Sequence, residues 1–230
     1  MLAYITGGAS CGKSTAAEEL CLTLGEPRVY LAAMRPFGEE GARRVRKHRA
    51  QRAGKGFRTL ECYEGFDAVL ADEGLADATV LLECLGNVVA NELFSEEGSE
   101  PGVVEGVESG VPAQAPSACA RIVGNLEALA DRCAHLVVVG NEVGADGVEY
   151  EVETRHYQQV LGDVACALTQ HCDLVVESVA GVPVVLKTTA DAASHDEVKE
   201  LVDAWKSGPG CQPVTLPLGS HSANAQEEMR

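Results

Sequence analysis

Aromatic residues are scarce in this chain: they make up 4% of its 230 residues, with a single Trp. Its core must therefore be built from aliphatic side chains, which a hydrophobic content of 46% can supply. Long apolar runs are missing too, and none approaches the roughly 20 residues that a membrane helix needs. The opening Met1-Leu2-Ala3-Tyr4-Ile5-Thr6-Gly7-Gly8 is too soon broken to read as a signal peptide. Basic residues are few: 18 Lys and Arg stand against 35 Asp and Glu, for a net charge of -17. That balance argues against a general nucleic-acid binder. The nine cysteines form no Cys-x-x-Cys pair and are odd in number. Neither a disulfide framework nor a zinc site is expected, and reduced thiols point to the cytoplasm. No internal repeat is visible.

Against these absences stands one strong local pattern. Gly7-Gly8-Ala9-Ser10-Cys11-Gly12-Lys13-Ser14 fits the phosphate loop, Gly, four residues, then Gly-Lys-Ser. The apolar run Leu2–Ile5 precedes it and a helix-forming run, Thr15–Leu24, follows. Glycines let backbone N–H groups face a phosphate without an intervening side chain. The helix N-terminus adds partial positive charge. In such loops the Lys, here Lys13, reaches the outer phosphates, and the hydroxyl, here Ser14, ligates magnesium.

The rest of the chain alternates short apolar runs with longer helical stretches. Leu2–Ile5, Val29–Ala33, Thr79–Glu83 and Leu136–Val139 read as buried strands of a parallel sheet. Thr15–Leu24, Glu39–Arg52, Val88–Phe94, Ala118–Cys133 and Glu153–His171 read as helices. Asp173–Ser178 and Val182–Lys187 flank Val179-Ala180-Gly181, the pattern of an antiparallel hairpin at a sheet edge. The fold class is α/β: an open, mostly parallel sheet flanked by helices, like that of phosphate-loop NTPases, closed by the hairpin. Residues 1–187 form the domain, with a Gly-, Glu- and Pro-rich insertion at about 95–116 that reads as a mobile surface loop. Residues 188–230 read as an extension with one helix, about Asp191 to Lys206, and then a disordered tail.

Eight of the 18 basic residues fall within the 16 positions from Arg43 to Arg58. A charge run is usually a solvated helix face. In an otherwise acidic chain carrying a phosphate loop, it suggests a triphosphate site. His48 sits in the middle of this run, and a neutral imidazole can attack phosphorus and hold the group as a phosphoramidate. The other histidines before the tail, His135, His156, His171 and His195, read as structural or solvated. Thr79–Glu83 ends in a carboxylate, where phosphate-loop enzymes bind magnesium. Glu61 could meet a ribose hydroxyl or metal, or be a plain surface carboxylate. Asn141-Glu142-Val143-Gly144 follows a strand at the carboxyl edge, where α/β proteins bind ligands. No Asn-Lys-x-Asp base-reading motif is present.

Taken in order, these pieces resemble the bifunctional adenosylcobinamide kinase/adenosylcobinamide-phosphate guanylyltransferases of cobalamin biosynthesis. The resemblance rests on Thr6 to Ser14, Val29 to Ala33, Arg44 to Arg52 around His48, Phe57 to Glu61, Leu81 to Cys84, Asn91 to Phe94, Asn141 to Gly144 and Val184 to Lys187. It implies that ATP or GTP phosphorylates the adenosylcobinamide hydroxyl. GTP then guanylylates a histidine, and GMP passes to adenosylcobinamide phosphate. By this resemblance His48 is the guanylylated residue and Lys13 its catalytic companion in the loop. The implied nucleotide contacts are Gly8, Ala9, Ser10, Cys11, Gly12, Lys13, Ser14, Thr15, Leu31, Ala32, Ala33, Arg49, Ala50, Gln51, Arg52, Glu61 and Glu83, with Mg2+ on Ser14 and Glu83. A homotrimer with a ligand cleft between subunits is implied as well. Two other readings stand beside it: a phosphate-loop kinase of another small metabolite, and a non-catalytic nucleotide-binding relative.

Overall fold

In the computed structural model, which describes residues 1–35, 38–63, 65–94, 116–144 and 147–207, the short aliphatic runs join into one sheet. The strands are β1 (Leu2–Thr6), β2 (Arg28–Ala32), β3 (Phe57–Glu61), β4 (Thr79–Glu83), β5 (His135–Val139), β6 (Leu174–Val179) and β7 (Val182–Thr188). Their order across the sheet is β3-β2-β4-β5-β1-β6-β7. All neighbouring pairs are parallel except β6 and β7, which form the antiparallel edge hairpin. Ala180 and Gly181, with φ of 50° and 87°, make its tight turn, the left-handed pair that a two-residue hairpin favours.

Side chains alternate between the two faces of each strand, and both faces are covered. Leu2, Tyr4, Val29, Leu31, Val80, Leu82, Leu136 and Val138 form one buried face. Against it lie α4 (Leu85–Phe94), α5 (Ala118–Arg132) and α6 (Val152–His171), through residues such as Val89, Ile122, Leu126 and Val164. Ala3, Ile5, Tyr30, Leu81, Val137, Val139, Leu174 and Val176 form the other face. There α1 (Lys13–Leu24) contributes Ala16, Ala17, Leu20 and Cys21. Burial on both sides explains why the central strands read as unbroken aliphatic runs.

Several elements differ from the expectation. β3 is an additional strand at the sheet edge; only its Phe57 and Leu60 are partly covered, so it lacks an apolar run. A short helix α3 (Asp67–Leu70) and a 3-10 turn (Glu73–Leu75) fill the crossover from β3 to β4. α2 (Gly38–Arg52) and α4 begin earlier than their periodicity suggests. The C-terminal helix divides at His195 into α7 (Ala190–Ser194) and α8 (Asp196–Ser207). Thr189 caps α7 by accepting from the Ala192 N–H at 3.4 Å. Ala192, Val198, Val202 and Trp205 pack into the face that holds α1. Of the expected 95–116 loop, residues 95–115 lie outside the described residues, as does the expected tail after Ser207.

Candidate active site at the carboxyl edge of the sheet

The loop between β1 and α1 owes its shape to glycines. Gly7 has φ 142°, and a Cβ there would stand 2.4 Å from the Ser178 carbonyl oxygen. Gly12, with φ 94°, is the α1 N-cap, and no side chain caps that end. The first-turn N–H groups of α1 are thus left to an external acceptor. Ser10 also adopts a positive φ, 57°. The hairpin braces the loop from beside it: the Cys11 carbonyl accepts from Ser178 Oγ at 2.6 Å and from the Gly181 N–H at 2.8 Å. Lys13 Nζ curls back to the Gly8 carbonyl at 2.8 Å. Ala9, Ser10 and Thr15 are exposed, and Gly8, Cys11, Gly12 and Ser14 are half-buried.

Glu83 ends β4 and joins the loop to the basic helix. Register explains how. Tyr30 lies opposite Leu81, and Ala32 opposite Glu83, so Tyr30 and Glu83 share the face covered by α1. Ser14 Oγ donates to Glu83 Oε1 at 2.5 Å, and Tyr30 OH donates to Oε2 at 3.3 Å. From α2, His48 Nδ1 lies 3.3 Å and Arg52 Nη1 3.6 Å from the same Oε2. Both are close polar approaches in which neither nitrogen is aligned for a full hydrogen bond. Arg52 is buried with its guanidinium carbon 3.2 Å from the centre of the Tyr30 ring, a cation–π stack. Burial pushes the Glu83 carboxyl up, but His48, Ser14 and Arg52 outweigh it and hold the carboxyl below its ordinary value. Burial, with the Glu83 charge second, pushes the Tyr30 hydroxyl above its usual range. Glu83 is therefore an anion and Tyr30 a neutral donor at neutral pH.

Ser14, His48, Arg52 and Glu83 are thus brought together, and Lys13, bonded to the Gly8 carbonyl, precedes Ser14 in the loop. The remaining predicted residues lie around them. Leu31 and Ala33 are buried and Ala32 half-buried; the Ala33 carbonyl accepts from Asn91 Nδ2 at 2.8 Å. Arg49 and Ala50 are exposed on α2, and Gln51 follows them in the same helix. Glu61 is exposed, in register with Ala32 on the far side from Glu83. Two strand spacings, roughly 10 Å, then separate the two acidic strand ends. Glu61 neighbours Tyr63, whose hydroxyl is pushed up by burial and by the Glu61 charge.

Tyr30 and Ser178 take part in this arrangement and were not recognisable from motifs. Tyr30 was hidden in an apolar run, although a hydroxyl two residues before a strand end can share a face with that end. Ser178 gave no signal, because its role depends on a hairpin folding back onto the loop. Among the described residues no group of three or more His, Cys, Asp and Glu forms a self-contained metal cage. Ser14 and Glu83 together do offer an all-oxygen pair of the kind that holds Mg2+ alongside nucleotide phosphates.

A parallel sheet with strand, glycine loop and helix at its carboxyl edge, and an acidic strand end on the loop hydroxyl, defines a phosphate-loop NTPase-like protein. The comparison with known families is narrower. Residues 3–186 match the family CobU, cobinamide kinase / cobinamide phosphate guanyltransferase, and the chain belongs to that family. The chain is 33% identical over 194 residues to the bifunctional adenosylcobalamin biosynthesis protein CobU of Salmonella typhimurium, covering 81% of this chain and 100% of that protein. It is 31% identical over 190 residues to CobU of Escherichia coli, covering 81% and 100%. With CobP of Pseudomonas aeruginosa it shares 30% over 187 residues, covering 80% and 95%. Among the described residues, no helix is long and apolar enough to cross a membrane.

Proposed function

We propose that this chain phosphorylates adenosylcobinamide with ATP or GTP, then moves GMP from GTP through His48 to the phosphorylated product, giving adenosylcobinamide-GDP. One observation carries this reading beyond family membership. A single carboxylate, Glu83, touches both the phosphate-loop hydroxyl of Ser14 and the ring of His48. The group that would cradle a triphosphate and the group that would attack it are therefore held together.

Each residue has a defined task in this reading. The backbone N–H groups from Gly8 to Thr15 cradle the phosphates, and Lys13 leaves the Gly8 carbonyl to meet their outer oxygens. Arg52 holds positive charge beside the transferring group, with Arg49 on the exposed side of α2. Ser14 and Glu83 would hold Mg2+, which when bound offsets charge on the phosphate oxygens. His48 divides a hard transfer into two displacements. The acceptor is a corrinoid alcohol and then its phosphate. The reading also takes the protein to be cytoplasmic and a homotrimer with its ligand cleft between subunits, which sedimentation can measure.

Label transfer tests the core of this proposal. Magnesium-loaded protein incubated with GTP labelled at the α-phosphate should acquire acid-labile label, and the His48→Ala variant should not. If active wild-type protein takes up no α-label, the guanylyl-histidine reading fails. Kinase activity on adenosylcobinamide, followed with γ-label, would then remain as a separate function.

A further inference from the structure

The guanylyl-transfer reading does not say which imidazole nitrogen of His48 attacks. The two nitrogens lie across the ring from each other, so holding one aims the other. Nδ1 is buried and 3.3 Å from Glu83 Oε2, whereas the His48 side chain as a whole is 27% exposed. The exposed part of the side chain therefore excludes Nδ1. An ionised carboxylate can only accept. Of the two tautomers of a neutral ring, only the one with N–H at Nδ1 suits this acceptor, and it leaves the lone pair on Nε2.

Glu83 is itself fixed. Oε1 faces Ser14, its proposed partner at Mg2+, while Oε2 takes the Tyr30 hydroxyl and has Arg52 3.6 Å away. Arg52 is fixed in turn by its stack on the Tyr30 ring. A carboxylate held from three elements cannot easily swing to the other side of the ring. The Nδ1 approach is close but bent, as catalytic hydrogen bonds often are before substrate binds.

We propose that Glu83 is the positioning residue for His48, keeping the proton on Nδ1 and directing Nε2 as the nucleophile. This rests on the guanylyl-histidine reading. In the first displacement the Nε2 lone pair forms a bond to the α-phosphorus. The bond from that phosphorus to the bridging oxygen breaks, and pyrophosphate leaves with the electron pair. The ring, bonded at Nε2 and protonated at Nδ1, becomes a cation facing the Glu83 anion. In the second displacement a phosphate oxygen of the acceptor attacks the same phosphorus. The N–P bond breaks and its pair returns to Nε2, restoring the neutral ring. No proton has to leave Nδ1 in either step.

The nitrogen that carries phosphorus can be read directly. Protein carrying 15N-histidine is guanylylated with GTP, and 31P–15N coupling in long-range 1H–15N spectra identifies the bonded nitrogen. The expected result is coupling at Nε2 alone. Coupling at Nδ1 overturns this proposal while leaving the guanylyl-histidine reading intact; no adduct at all overturns both. Glu83→Gln supplies a second measurement, because a purely structural role would not change which nitrogen reacts. Single-turnover guanylylation should fall on the order of 100-fold, and the adduct that does form should be distributed over both nitrogens. A Glu83→Gln protein that guanylylates at the wild-type rate and only at Nε2 would overturn the proposal.

Discussion

Gly7 and Gly8 are adjacent, yet the structure assigns them different roles, and replacing each by Ala separates those roles. At Gly7 the backbone has φ 142°, a region L-residues avoid, and the new Cβ would sit 2.4 Å from the Ser178 carbonyl oxygen. The Cys11 sulfur, 2.8 Å from the same point, could rotate away, but Ser178 could not. Its strand is paired with Pro183 across the hairpin, and its Oγ holds the Cys11 carbonyl. Backbone strain costs about 1–3 kcal/mol, and forced overpacking adds about 1–3 kcal/mol more. Gly7→Ala should therefore lose about 4 kcal/mol. With a urea slope of about 2 kcal/mol/M, the midpoint would fall by about 2 M. At Gly8 a Cβ meets nothing within 4 Å. Gly8→Ala should stay within about 0.5 kcal/mol of the parent. Its methyl would project into the space proposed for the phosphates, so GTP affinity should drop about tenfold or more at unchanged stability. Urea unfolding and nucleotide titration on the pair check this. Equal midpoints for the two variants would refute the steric argument. A stable Gly8→Ala protein with wild-type GTP affinity would refute the placement of the phosphates.

Three further outcomes follow from single contacts. Lys13→Ala removes the amine that rests on the Gly8 carbonyl; it should fold with an unchanged melting temperature and lose both the γ- and α-label transfers. Arg52→Met keeps the bulk but removes the Tyr30 stack and one counter-charge of buried Glu83, and urea unfolding should show a loss of about 2 kcal/mol. Burial, the nearby Met1 amine and His195 bring His135 down to about 4. Its folded-state value lies below the unfolded value of about 6.5, so the unfolded chain binds the extra proton. The stabilising effect is complete above about pH 6.5 and is lost as pH falls toward 4. Discounted for the partial exposure of the ring, it amounts to about 1 kcal/mol. The slope of stability against pH in that window should flatten in His135→Gln.

The sheet and the phosphate loop were legible because the central strands are buried on both faces, and such strands cannot hide their aliphatic runs. β3 was not legible, because it is an edge strand whose Arg58 and Thr59 face solvent. Within the candidate site, a motif singled out Lys13, Ser14 and Glu83 one by one, and the structure brings Ser14 and Glu83 into contact. What joins His48 to Glu83 is the crossover after β2, which returns α2 so that Arg52 lies on Tyr30. That approach depends on strand order, and strand order has no local code. For the same reason the bracing of Cys11 by Ser178 and Gly181, 167 and 170 positions away, left no trace in the loop itself.

The C-terminal helices looked like an appendage in the sequence, and the family match stops at residue 186. Their packing argues for a structural role beside the candidate site. Ala192, Val198, Val202 and Trp205 are buried in the layer that includes Ala16, Ala17, Leu20 and Cys21 of α1. α1 carries Lys13 and Ser14 at its start, so the helix that presents the loop is flanked by α8, which packs on β7 as well. Trp205→Ala should cost about 3–5 kcal/mol. Removing everything after Thr188 would also lose Val198 and Val202, at about 2 kcal/mol or more each. Together these losses approach the roughly 5–15 kcal/mol that stabilises an ordinary domain. The shortened chain should show reduced helical circular dichroism, no cooperative thermal transition and no GTP binding. Trp205→Ala should retain a transition at lower temperature, together with GTP binding below it. If residues 1–188 melt at the parent's temperature and bind GTP equally well, then α1 is held by the sheet alone and α7 and α8 are dispensable to the site.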